Sequence, residues 1–149
     1  MTNVEHFMKR ALELASTAAK SGNEPFGAIL VKDGKIVFET QNSIHKSSDP
    51  TAHAEMSLIR EFCHTNQISD LSDYTLYTSC EPCCMCSGAM VWSKLGKLVY
   101  SASHSQLQEI AGFNIMISSE EVFEKSPFRP TTHGLILNNE GTKILADYF

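Results

Sequence analysis

Two short stretches constrain this chain more than any others: His53-Ala54-Glu55 and Glu81-Pro82-Cys83-Cys84-Met85-Cys86. They spell H-x-E and then P-C-x-x-C. Zinc favours about four ligands drawn from thiolate sulfur, imidazole nitrogen and carboxylate oxygen, and a catalytic zinc keeps one position open. His53, Cys83 and Cys86 supply three ligands for one zinc per chain. Glu55, two residues from His53, is the natural proton acceptor and donor for chemistry at the open position. Two thiolates cancel the charge of the dication, so any further deprotonation at the centre leaves it anionic. A carboxylate close by meets that need.

The run after Pro82 reads as the start of a helix, where proline is tolerated. Cys83 and Cys86 then share one face, and the helix N-terminus favours thiolate. Cys84 is one step on and points elsewhere. Cys80 and Cys83 form a second C-x-x-C, so a closed structural site of His53, Cys80, Cys83 and Cys86 stands as an alternative. Five cysteines occur, at positions 63, 80, 83, 84 and 86. Such clustering fits metal chemistry better than a disulfide framework.

At 149 residues the chain is read as a single domain, 1–149, long enough for a substantial core. No apolar run approaches membrane-spanning length, and Met1 to Arg10 lack the layout of a secretory signal. The expectation is a cytoplasmic protein with no membrane association. The net charge of -5 and the lack of a basic run lean toward a small substrate and away from nucleic acid.

Thr2-x-x-Glu5 reads as a capping box, followed by Val4, Phe7, Met8, Ala11, Leu12 and Ala15 at helical spacing. Ser21-Gly22 ends that helix. Strands are expected over 26–31 and 36–41, joined by an Asp33-Gly34 hairpin turn. Asn42 to Pro50 is polar loop. A helix over 51–62 places His53 and Glu55 in its first turn, with the metal off the helix end. A third strand follows over 74–78, then the cysteine helix with Gly96 as its stop, then a fourth strand over 98–100. Residues 101–118 read as part helix, part loop, and Ser118-x-x-Glu121 caps a short helix. Leu135 to Leu137 is the expected fifth strand, and Asn138 or Asn139 the cap of a last helix. Alternating strands and helices argue an α/β fold, a three-layer α/β/α sandwich with a five-stranded mixed sheet.

From Pro25-Phe26-Gly27-Ala28 to Tyr100 the chain resembles the cytidine deaminase-like zinc deaminases, in particular their purine-acting branch. The paired H-x-E and P-C-x-x-C motifs are the known signature of zinc deaminases. Asp49-Pro50-Thr51-Ala52-His53-Ala54-Glu55 and the cysteine run through Gly88-Ala89 look like both bacterial guanine deaminases and tRNA-specific adenosine deaminases. Pro25-Phe26-Gly27, Ser79-Cys80-Glu81-Pro82-Cys83, Trp92 and Ala111-Gly112-Phe113 favour the guanine branch. Asn114 stands where guanine deaminases are expected to place a carboxylate, and the chain stops at Phe149 without their longer tail.

The resemblance implies a homodimer or larger assembly and further site residues. Asn42 would contact the base through its amide, with an ordinary turn residue as the plainer reading. The backbone N–H of Ala54 would bind a substrate carbonyl or ring edge. Phe26 would pack on the base or simply fill strand core. Trp92 would line a base pocket across a subunit interface or pack as an ordinary helix-end aromatic. Asn114 would handle the purine. The leading reading is therefore zinc-dependent hydrolytic deamination of a purine base or nucleoside, guanine-type first, releasing ammonia. The alternatives are a tRNA adenosine deaminase acting on the anticodon and a non-catalytic zinc-stabilised module.

Overall fold

A computed structural model covers residues 1–149. Its first helix, α1 (Asn3–Lys20), begins at the expected capping box. The Glu5 N–H donates to Thr2 Oγ1 (3.1 Å), and the Thr2 N–H donates to the Glu5 carboxylate (3.0 Å). The stripe Met8, Ala11, Leu12 and Ala15 is buried, as its spacing predicts. β1 (Gly27–Lys32) and β2 (Lys35–Gln41) form the hairpin. Asp33 and Gly34 both take positive φ (52° and 73°), the geometry a tight hairpin turn requires. Gly27 lies so close to α1 that an added Cβ would sit 2.5 Å from the Ala11 carbonyl oxygen. Its lack of a side chain lets the helix pack directly onto the strand.

β3 (Thr75–Cys80), β4 (Lys97–Ala102) and β5 (Thr131–His133) complete a five-stranded sheet of order β2-β1-β3-β4-β5. β1 runs antiparallel to both β2 and β3, while β3, β4 and β5 are mutually parallel. Alternate strand residues face opposite layers. Ile29, Val31, Tyr77 and Val99 pack against α1, with Ile144 of α6 (Asn138–Tyr148) joining them. Leu30, Leu76 and Leu98 pack against α2 (Ala54–Asn66) and α3 (Cys84–Trp92) through Leu58, Phe62, Met90 and Val91. This is the expected three-layer α/β/α sandwich. No helix is long and apolar enough to cross a membrane.

Several boundaries differ from the sequence reading. The fifth strand is Thr131–His133, not Leu135–Leu137: Leu135 and Leu137 take left-handed φ (63° and 52°), which no strand tolerates. Leu137 is the N-cap of α6, so neither Asn138 nor Asn139 caps it. The Asn138 amide instead donates to the Ser101 carbonyl (3.0 Å) and to Gln106 Oε1 (2.8 Å). α2 starts at Ala54 rather than Thr51, because Asp49 accepts from the Thr51 N–H and hydroxyl and holds that stretch in a turn. α3 ends at Trp92, before Gly96. Within 101–118, α4 (His104–Ala111) is capped by a Ser103-x-x-Gln106 box, and α5 (Ser119–Glu124) starts at the Ser118 box as expected.

Candidate active site

His53 and Cys83 occupy equivalent places. Each is the extended N-cap residue of its helix, α2 and α3, and neither side chain caps that helix. An N-cap side chain usually turns back to bond the helix's free N–H groups. Here both turn toward each other, off the ends of two helices. His53 Nδ1 lies 3.6 Å from Cys83 Sγ and 3.8 Å from Cys86 Sγ. The three ligand atoms lie within 4.8 Å of one another. Bonds of about 2.3 Å to sulfur and about 2.1 Å to nitrogen at a tetrahedral angle put sulfur and nitrogen about 3.6 Å apart. The cluster therefore fits zinc. The sequence reading put His53 and Glu55 in the first helical turn, converging on a metal off the helix end; His53 is instead the N-cap, one residue before α2 begins.

The electrostatics suit a metal. Cys83 is pulled down to about 4, first by its hydrogen bond with Cys86 and then by His53. The same bond and burial push Cys86 up. His53 is raised, chiefly by its bond to Cys83. Protons thus shared among three ligand atoms are what an incoming dication displaces. Glu55, in the first turn of α2, is 6% exposed. Burial foremost, then the Cys83 thiolate, pushes its carboxyl up to about 7. A carboxyl poised there can take a proton and give it back.

Cys80 stands outside the ligand cluster. It is buried and packs against Ala102 and Leu145, with Phe26, Leu107 and Ile110 around them. The closed four-ligand site is not formed. Cys80→Ser is expected to retain about one zinc per chain, like the unaltered protein. Loss of metal in that variant, measured by metal analysis, would reject the ligand assignment.

His53, Glu55 and Cys83 open onto a cleft of about 350 Å³, within the range of small-molecule sites. It lies at the C-terminal ends of β3 and β4, the usual ligand position on a sheet of this kind. Phe26 and Asn114, read as candidate base contacts, line it, and Phe26 also packs against the core as its plainer reading had it. Asn42 is buried beside it: Oδ1 accepts from the backbone N–H groups of Glu24 (3.4 Å) and Ile44 (3.1 Å), and Nδ2 has no partner. Ala54 is the first residue of α2, so its N–H has no partner within the helix. Trp92 lies outside the cleft of its own chain, 77% exposed at the end of α3.

Phe149 and Leu107 also line the cleft and were missed. The Phe149 ring lies 6.4 Å from that of Phe26 and 5.8 Å from that of Phe113, centroid to centroid. Glu81, part of the cysteine motif but given no role of its own, lines the cleft too. The Ser103 capping box would have placed Leu107 on a helix; nothing local in the sequence marks Phe149.

Residues 1–102 match the family model for the cytidine and deoxycytidylate deaminase zinc-binding region. The chain belongs to this deaminase family. Among curated members it is similar to the guanine deaminase of Bacillus subtilis, 46% identical over 80% of this chain and 77% of that one. It is also similar to the tRNA-specific adenosine deaminase of Buchnera aphidicola subsp. Schizaphis graminum, 35% identical over 97% of this chain and 92% of that one. Among solved structures, a tRNA:A34 deaminase superposes with a TM-score of 0.81 at 29% identity, over 93% of this chain and 98% of that one. The guanine deaminase of Nitrosomonas europaea superposes with a TM-score of 0.84 at 26% identity, over 97% and 83%. The protein is thus a hydrolytic deaminase of the zinc-dependent kind, and its His/Cys/Cys group suits that metal.

Proposed function

We propose that residues 1–149 form one deaminase domain that hydrolyses the exocyclic amine of a purine base or nucleoside, with guanine-type substrates first. The observation that carries this is the pairing of the His53, Cys83 and Cys86 cluster with buried Glu55 in a cleft walled by Phe26, Phe113 and Phe149. Aromatic walls suit a flat heterocycle. His53, Cys83 and Cys86 would hold zinc, which would supply a nucleophile at neutral pH by acidifying water. Glu55 accepts the proton released. It returns protons to the ring nitrogen and to the departing amine, so that water and the amine become a carbonyl and ammonia. The unpartnered Nδ2 of Asn42 donates to an acceptor on the purine edge, which relieves a buried donor of its missing bond. The Ala54 N–H donates to a substrate carbonyl or ring edge.

The B. subtilis guanine deaminase supports the guanine-type choice. The near full-length match to a tRNA-specific adenosine deaminase supports the second reading, deamination of an anticodon adenosine. The net charge of -5 favours the small substrate, because an acidic surface repels RNA. A homodimer is our reading of the assembly. Trp92 and Met116, each more than half exposed and outside the cleft, are apolar groups a second copy would cover. The cytosol is our reading of the compartment, since reducing conditions keep the Cys83 and Cys86 thiols available to metal.

The test is a comparison of ammonia release from guanine, guanosine and adenine with inosine formation in a tRNA anticodon stem-loop. Guanine is expected to give the highest kcat/KM. Strong inosine formation with no turnover of any free base or nucleoside would promote the tRNA reading instead.

A further inference from the structure

Glu81 sits between the last residue of β3 and the zinc-ligand candidate Cys83, and it is 8% exposed. Its carboxylate does not join the ligand cluster. Oε1 accepts from the His104 N–H (3.0 Å), and Oε2 accepts from both the Ser119 N–H (3.0 Å) and the Ser119 hydroxyl (2.6 Å). His104 and Ser119 are the first residues of α4 and α5. The capping boxes of Ser103 and Ser118 bond the N–H groups of Gln106 and Glu121. One carboxylate thus takes the first N–H of each helix, which has no partner inside its own helix.

The stretch between these anchors carries one wall of the cleft: Leu107, Ala111, Phe113, Asn114 and Ile115. Residues 112–118 form neither helix nor strand, and Phe113, Ile115, Met116 and Ile117 are largely exposed. Between its ends the segment has few fixed points: the Phe113 ring packs against Phe149, and the Ile117 N–H donates to the Ile115 carbonyl (2.8 Å). Asn114 is tied back to the anchored residue, its Nδ2 donating to the His104 carbonyl at 3.2 Å. The orientation of the amide is chemically forced, since the reverse would set two acceptor oxygens against each other. Oδ1 is left as the free group, an acceptor of the kind a carboxylate at this position would offer.

We propose that Glu81 is a positioning residue for substrate recognition: it clamps both ends of the 104–119 segment and so holds Asn114 and the aromatic wall over the cleft. This rests on the reading of the cleft as a purine site, and it assigns Glu81 to binding rather than to the proton transfers of Glu55. Glu81→Gln keeps the side-chain volume but turns one acceptor into a donor facing N–H groups. With guanine as the probe, KM is expected to rise about ten- to a hundredfold, the scale of a lost hydrogen bond to a charged group, with kcat within about threefold. Zinc content is expected to stay unchanged.

Amide hydrogen exchange reads the clamp without any substrate. Residues 112–118 and the first turns of α4 and α5 are expected to exchange faster in Glu81→Gln, with α2 and α3 unchanged. Should that variant fold poorly, Ser119→Ala removes only the hydroxyl bond and is expected to shift KM and exchange in the same direction by a smaller factor. If guanine is not turned over by the unaltered protein, the guanine-type choice fails, and the exchange result alone supports or rejects the clamp. A fall in kcat at constant KM, an unchanged exchange pattern, or faster exchange through α2 and α3 with loss of zinc would overturn it.

Discussion

Glu55→Gln is expected to keep zinc and fold while losing turnover by about a hundredfold or more, the scale of general acid–base catalysis. The substitution is nearly isosteric, and a carboxyl that is 6% exposed contributes no surface charge to solubility. What the amide loses is the ability to accept a proton. In the account above Glu55 both takes the proton released as the nucleophile forms and returns protons to the substrate, so both halves of the reaction fail together. Burial and the Cys83 thiolate push this carboxyl toward neutrality, whereas bound zinc adds positive charge that pulls it back. The zinc site and the base are therefore electrostatically linked. Steady-state kinetics, metal analysis and circular dichroism on the one variant separate these effects. Near-normal kcat with full zinc would remove Glu55 from the mechanism.

Loss of the metal is expected to have the second large effect, on stability as well as rate. The ligand cluster joins the N-termini of α2 and α3, and Cys86 is wholly buried within it. Metal that binds the folded state alone stabilises it by about 4 kcal/mol at a thousandfold excess over Kd. For a chain of this size that corresponds to roughly 10 °C in Tm. A strong chelator is expected to lower Tm by about that amount and to abolish activity, and added zinc is expected to restore both. Cys86→Ser, which removes one thiolate, is expected to be inactive, to carry little zinc, and to have a Tm that no longer responds to chelator. A chelator-sensitive Tm in Cys86→Ser would mean that the stabilising metal sits elsewhere.

The candidate metal ligands and the proposed base stood out in the sequence because such chemistry demands fixed types at fixed spacing. His53, Glu55, Cys83 and Cys86 sit at the starts of two helices; Pro82 marked the second, while no side-chain cap marked the first and its start was read three residues early. The hairpin was equally clear, since Asp33-Gly34 provides the backbone conformations such a turn needs. β5 was misplaced because its three residues are all exposed and carry no apolar pattern. The apolar run after it instead packs Ile136 and Leu137 onto the α1 layer. The far wall of the cleft was least legible. Phe149 reaches the site only because α6 packs beside β4 and α4, and no local pattern encodes that contact. Glu81 was visible as part of a motif, yet its partners His104 and Ser119 are distant in the chain and emerge only in three dimensions.

Titration of zinc into the metal-free protein, with ammonia release from guanine followed at each addition, tests the central claim most directly. The account predicts activity that rises in proportion to bound zinc and stops rising at about one zinc per chain, the stoichiometry of a single three-ligand site with one open position. A protein that binds its full zinc and releases no ammonia from guanine or any other purine base or nucleoside would contradict it.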